Sequence, residues 1–559
     1  MARTTGSLHA IARLLYLACE CAQVRTCSSG SAPLAPRVEL LNATEREPLL
    51  FVDTAVLQSV SQLQLKVHPP EPGDRILYPT EPWESWAVFA CNSVVQTRPG
   101  DANYSADTAV RMYYDCVEEG TEEHFGQLGW RKTCVAVSPD GLSWTKPSLT
   151  IVPYFGQPSN ILTNCTAPAV FIDRNPHAPV EQRWKMFCDN TVWAGPDGWH
   201  FQPMFGRGHK SISHYDDTMD VGYWDHALQR YVVYVRRNVQ VPGKAPPRPG
   251  PGGDSVRRQI GRCETDDLSD WEKFAPSSGC ECVFGPDMHD PDDVDVYTSS
   301  WTRYAGIEWF FPTFYHHFDT ANPDGFSNDG LLNIRLVASR STHNLSYISA
   351  DNGRQPFVAW GLNTCGEDAV HPSLKGGWCN DSDGALATTT FDTSGGYMVA
   401  GAVESLDGTS VLVYASGQPF THGGDAAAVT WANNTGIRVL RSRKHGFVSI
   451  SAPYQFNQPR SSMPHFVTKP ITVPDGEVSL LLNIKTSNVG FAVVELRTRS
   501  GSALPGFELN ASDPIRANSV GARASWNRGA RTFSVPDGEV VVVVAFADAE
   551  LYSLWFDVQ

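Results

Sequence analysis

SPDGLSW at 138–144 is the stretch that decides the fold, because GPDGWHF at 195–201 and TDDLSDW at 265–271 repeat its pattern and SRSTHNLSY at 339–347 keeps a degraded copy. Each copy ends an apolar run: RKTCVAV, RWKMFCDNTVWA, RQIGRCE and NIRLVA lead into them in turn. The chemistry of the turn is local. An Asp or Ser side chain bonds its own backbone, Gly supplies positive φ, and the Trp packs between neighbouring sheets. Reading Asp140, Asp197, Asp266 and Thr342 as equivalent positions gives intervals of 57, 69 and 76 residues. That spacing is too long for a solenoid and suits propeller blades with variable loops. A fifth copy, GIRVLRSRKHGFVSI at 436–450, keeps the strand but has lost the Asp and the Trp. From about 466 the pattern changes to long alternating strands joined by PDGE turns, the mark of a β-sandwich. The sequence therefore reads as all-β: a leader at 1–30, a five-bladed β-propeller at 50–460, and a β-sandwich at 465–559. Within the last, VVVVVAF must lie inside a sheet, since exposed it would aggregate.

Composition agrees and narrows the function. Sixteen Trp, 46 Gly and 39 Pro in 559 residues describe many short strands and turns, and no 3.6-residue period persists beyond the N-terminus. A net charge of −16 argues against nucleic acid or an anionic membrane as partner, because phosphate needs clustered Lys and Arg. A neutral or weakly charged ligand fits that balance better. The apolar segment at 10–22, flanked by Arg3 and Arg13, is too short to span a bilayer and reads as a secretory signal. Ten Cys follow it, from Cys91 to Cys379, an even number that implies disulfides in an exported chain. Cys263 with Cys280 or Cys282, and Cys365 with Cys379, are candidate loop staples. Seven N-x-[ST] sequons, at Asn42, Asn103, Asn164, Asn344, Asn380, Asn433 and Asn510, fit a secreted glycoprotein.

In a propeller the innermost strands line a central funnel, so polar residues at their starts are the candidates for chemistry. The acids there are Glu84 in PWESW, Asp217 and Asp220 in HYDDTMDVGYWD, Asp292, Asp293 and Asp295 in DPDDVDVYTSS, and Glu404 in VAGAVES. Three carboxylates converging in one funnel would drive their pKa values apart, as acid and base roles require. Each has a structural alternative: Glu84 bonding strand-end amides, Asp217 fixing a turn, Glu404 lying on the surface. The cluster at 290–295 has the oxygen-rich character of a structural Ca²⁺ loop but lacks the EF-hand Gly and Glu. No paired CxxC spacing supports zinc. His214, Tyr215, Tyr315, His316, His317 and Asp319 are candidates to orient sugar hydroxyls. Trp83, Trp86, Trp301 and Tyr297 are candidate stacking platforms, and Arg111 and Arg335 are strand cations suited to carboxylate partners.

Taken together, RMYYDC, AVSPDGLSWTKPSL, DTMDVGYWD, RQIGRCETDDLSDW, DVDVYTSS, TKPITV, LPGF, DPIRANSV and AELYSLWF resemble secreted glycoside hydrolases related to families 32, 43 and 68. The resemblance covers about 82–556. It implies a five-bladed propeller, followed in the family-32 branch by a β-sandwich, and hydrolysis of a glycosidic bond by three funnel carboxylates. It assigns Glu84 as the first-blade nucleophile or base, Asp217 as the middle-blade stabiliser, and Glu404 or Asp295 as the acid. The sequence departs from family 32 at PWESW, where an N-D-P motif is expected, and at DDTMD, where R-D-P is expected. The leading expectation is a glycosidase; the alternative is a non-catalytic carbohydrate-binding propeller. Retaining chemistry would need carboxyls about 5–5.5 Å apart and inverting chemistry about 6.5–9.5 Å.

Overall fold

The structure, a computed structural model, describes residues 41–44, 47–101, 103–118, 131–189, 191–204, 220–241, 255–269, 280–291, 293–317, 330–348, 352–359, 396–418, 422, 435–454, 459–535 and 538–559. It is a five-bladed β-propeller with a C-terminal β-sandwich. The inner strands of blades one to five are Ala87–Phe89 with Val94–Gln96, then Ala169–Ile172, Val221–Asp225, Val294–Tyr304 and Gly396–Glu404. Outward from them run Val110–Val117, Trp184–Cys188, Arg230–Val241, Ile307–His317 and Ser410–Gly417 as second strands. Each second strand is packed between two neighbouring blades, so its apolar residues run without alternation. All eight residues of Val110–Val117 and of Ser410–Gly417 are buried.

The repeated turn joins the third strand of a blade to its fourth. Asp140 Oδ1 accepts from the amides of Leu142 and Ser143, both at 2.8 Å, and Gly141 adopts φ of 78°. The same contacts place Asp267 and Ser341 at the Asp position of the third and fourth turns, one residue away from the Asp266 and Thr342 read from spacing alone. A tyrosine from the second strand of the preceding blade clasps each of three turns. Tyr414 donates to the Gly141 carbonyl at 2.9 Å, Tyr113 to that of Gly198 at 2.8 Å, and Tyr234 to that of Thr342 at 3.1 Å. A Cβ at Gly141 or Gly198 would meet that hydroxyl, which is a second reason for glycine there. Trp144 packs edge-on against Tyr414 across the gap between blades one and five.

Blade five explains its own missing turn. Its outermost strand is Glu71–Leu77, paired antiparallel with Gly436–Arg443, so nothing has to turn back after residue 443. The chain continues instead into Val448–Ala452, which joins the C-terminal sheet. The short strands Leu41–Asn42, Leu49–Leu50, Leu57–Ser61 and Gln64–Val67 join it too, so the C-terminal unit draws on both sides of the propeller in sequence. Its frame is the long pair Val478–Arg497 and Glu539–Val558. Val540 to Val544 are at most 4 % exposed and all are paired, Val543 and Val544 on both sides, inside the sheet as expected.

Among the described residues three disulfides staple the propeller. Cys116–Cys134 ties two strands of blade one, Cys165–Cys188 fastens the entry to blade two, and Cys263–Cys280 closes a loop of blade three. Cys365 and Cys379 lie outside the described residues. Among the described residues no helix is long and apolar enough to cross a membrane.

Candidate active site

Beside the inner strands lies an apolar knot of Cys91, Ala167, Tyr297, Tyr315, Leu332 and Met398. These come from blades one, two, four and five, and blade three adds Asp220 just before its inner strand. Around the knot stand three buried carboxylates: Asp115 at 6 % exposure, Asp220 at 1 % and Asp295 at 1 %. Burial pushes the Cys91 thiol up to about 12, and the nearby charges of Asp115 and Asp220 add to that while Arg236 opposes it. The thiol thus reports both acids as its neighbours.

Asp115 lies in the second strand of blade one, opposite Phe89, and its Oδ1 accepts the Ala167 amide at 2.7 Å. Burial pushes its carboxyl up to about 6; the Arg131 charge and the Ala167 amide hold the rise back, and Asp189 adds to it. Such a group holds its proton to higher pH than an ordinary Asp, the direction a general acid needs. Asp295, second residue of the blade-four inner strand, contacts His317 Nε2 through Oδ2 at 2.9 Å. Its Oδ1 is 3.7 Å from the Arg257 guanidinium and has no hydrogen-bond partner. A buried carboxylate oxygen left in that state is costly unless a ligand completes it. His422 bridges the two tyrosines, Nε2 to the Tyr297 hydroxyl at 3.0 Å and Nδ1 to that of Tyr315 at 3.1 Å. Tyr315 also lies against the His317 ring, with centroids 4.0 Å apart.

Of the residues singled out from sequence, Asp295, Tyr297, Tyr315 and His317 come together here. His316 points to the other face of its strand, where Asn333 bonds its Nε2 at 2.9 Å; burial, then the Arg335 charge, lowers its pKa. Glu404 sits at the far end of its inner strand, next to the Tyr304 hydroxyl at 3.4 Å, away from Met398 at the near end. Glu84 is fully buried elsewhere. It accepts from the Tyr114 hydroxyl at 2.6 Å and the Thr80 and Glu81 amides at 2.9 and 3.2 Å, and it pairs with Lys146 at 2.5 Å. None of those partners is shared with Asp295. Trp83 donates to Asn160 in the same network at 2.8 Å. Arg111 clasps blade one to blade two, with NH1 on the Asp197 carbonyl at 2.6 Å and its guanidinium over Trp184 and Trp199. Trp301 stacks on Tyr223 at 3.8 Å. His214, Asp217 and Asp292 lie outside the described residues.

Asp290 of the oxygen-rich run is bonded to Arg335 at 2.7 Å and stands 3.4 Å from Arg354. Among the described residues no three His, Cys, Asp or Glu side chains group as metal ligands. Sequence reasoning did not single out Asp115, Arg258 or His422. Asp115 carried a signal, an acid within the apolar run VRMYYDCV. His422 carried none, because it reaches the site from a loop.

No protein-family model matches the sequence, and no curated protein does. Among solved structures the chain is similar to one described as a glycoside hydrolase, with 11% identity, TM-score 0.38, and 66% of this chain and 92% of that one covered. It is similar to a family-43 arabinoxylan arabinofuranohydrolase from Bacillus subtilis, with 11% identity, TM-score 0.32 and coverage of 85% and 96%. A family-32 β-fructofuranosidase from Bombyx mori is also similar, with 8% identity, TM-score 0.33 and coverage of 88% and 94%. At such scores the five-bladed order rests on the strand pairing of this chain itself.

Proposed function

We propose that this chain is an exported glycoside hydrolase whose funnel cleaves a glycosidic bond with Asp115, Asp295 and Asp220. The observation that carries the reading is the inequality of the buried acids. Asp115 is pushed up to about 6, while Asp295 is held by His317 with one oxygen left unbonded. Separated roles of this kind are what acid–base cleavage of an acetal requires. Asp115 gives its proton to the bridging oxygen as the bond from that oxygen to the anomeric carbon breaks. Asp220 offsets the positive charge that develops on the ring. Asp295 takes the anomeric carbon or the proton of the attacking water, and water supplies the new hydroxyl. Glu84 and Glu404 have no part in this reading, since their contacts lie elsewhere. The disulfides, the leader and the sequons support export; Asn103, Asn164, Asn344 and Asn510 are exposed.

The test is turnover of a panel of plant and algal oligosaccharides by the secreted protein and by its Asp295→Asn and Asp115→Asn variants. Loss of cleavage in both, with melting and sugar binding kept, is the expected result. Binding without cleavage by the wild type would replace this reading with the carbohydrate-binding one.

A further inference from the structure

The funnel holds a buried cation that its acids do not neutralise. Arg258, in the third strand of blade three, is 4 % exposed, and its NH1 has no hydrogen-bond partner. Among the described residues no carboxylate pairs with it. Its guanidinium lies over the Tyr297 ring at 4.7 Å and near that of Tyr315 at 5.7 Å. Arg236 covers the same Tyr297 ring at 4.3 Å, while its Nε donates to the Tyr297 carbonyl at 2.8 Å. Two guanidinium groups therefore share one tyrosine.

Like charges this close repel, and a ring face returns only about 0.5–2 kcal/mol per cation. Leaving a guanidinium dry and unpaired costs several kcal/mol. The tyrosine hydroxyls do not relieve it: both are bonded to His422, and neither accepts from Arg258 NH1. Arg offers a fixed fork of donors that matches the geometry of a carboxylate or a sulfate.

We propose that Arg258 receives an anionic substituent of the saccharide, so that the funnel takes an acidic sugar carrying a carboxylate or a sulfate. This rests on the funnel being the saccharide site. It reverses the neutral ligand expected from overall composition: the charge of −16 is spread over the whole chain, whereas recognition is decided by the cations at one point.

The experiment is calorimetric titration of the full chain with three oligosaccharides of matched length: a galacturonan, a sulfated galactan and a neutral galactan. Arg258→Met and Arg258→Lys are titrated alongside, and all three proteins are melted. The wild type should prefer an acidic member, and which one it prefers tells carboxylate from sulfate. Arg258→Met should lose that binding by about 10–100-fold, the worth of a charge-assisted hydrogen bond. It should melt no lower than wild type, since an unpaired buried cation has been removed; Arg258→Lys should keep part of the binding. A fall in melting temperature with acidic binding unchanged would make Arg258 a structural residue and overturn the proposal. Preference for the neutral galactan, or binding of none of the three, overturns it as well. An acidic member bound but not cleaved leaves the proposal standing and removes the hydrolase reading. A neutral glycan cleaved equally by wild type and Arg258→Met does the reverse.

Discussion

Glu84 and Asp295 are both buried acids placed near the start of a propeller inner strand, yet their surroundings are opposite. Glu84 has a hydroxyl, two amides and an ammonium on its two oxygens. Asp295 keeps an oxygen unbonded, and Arg258 nearby keeps a nitrogen unbonded. The difference separates architecture from recognition. A charge whose partners are all supplied by the chain braces the fold; in the function proposed above, Asp295 and Arg258 meet their missing partners in a ligand.

Substitutions can break that comparison. The largest expected effect is at Asp295: changing it to Asn should lower kcat about 10³-fold on a cleaved glycan while the melting temperature hardly moves. Glu84→Ala should do the opposite. It strands Lys146 and the Tyr114 hydroxyl and should cost about 3 kcal/mol in denaturant unfolding, with kcat of the folded protein retained. Should Glu84→Ala stay stable and lose turnover, the division drawn between the two acids is wrong.

Asp115 sharpens the comparison because its two readouts should move apart. Its folded pKa of about 6 lies above the ordinary Asp value, so the folded chain holds this proton harder than the unfolded chain does. The stabilisation is complete below the unfolded value and is lost as pH rises through the folded one. Asp115→Asn should therefore equal wild type in stability near pH 4 and exceed it at pH 7.5 by on the order of 2–3 kcal/mol. Its turnover should collapse at both. Equal stability across that range would place Asp115 among the satisfied charges. The smallest effect belongs to the blade clasps. Tyr414→Phe removes one hydroxyl from the Gly141 carbonyl and should cost about 1 kcal/mol, read as a lower denaturation midpoint with kcat intact.

The blade count was legible because the Asp–Gly turn is a local device: its bonds span two or three residues, and each copy announces itself. The closing strand was not, because Glu71–Leu77 pairs with Gly436–Arg443 through contacts that no window of sequence contains. Even the turns slipped by one residue, since Asp266 and Asp267 carry the same group, as do Ser341 and Thr342, and only bonding tells them apart. At the site, Asp295 was legible as an acid within an apolar strand. Arg258 was not: it adjoins Arg257 in a strand, and only the register, which sets it opposite Asn238, decides which of the two faces the tyrosines. Glu84 shows the converse, an acid whose sequence position resembles that of a catalytic group and whose contacts are those of a brace.

The closing strand also sets a clock. Glu71–Leu77 leaves the ribosome early, and its partner at Gly436–Arg443 follows only after more than 350 further residues. At about 5–20 residues per second that is a wait on the order of a minute or less, during which the ring cannot shut. Leu49–Leu50 waits longer still, because its partner is the long strand Glu539–Val558. Propeller and sandwich thus each close on strands made hundreds of residues after their partners, and the early strand edges need shelter until then.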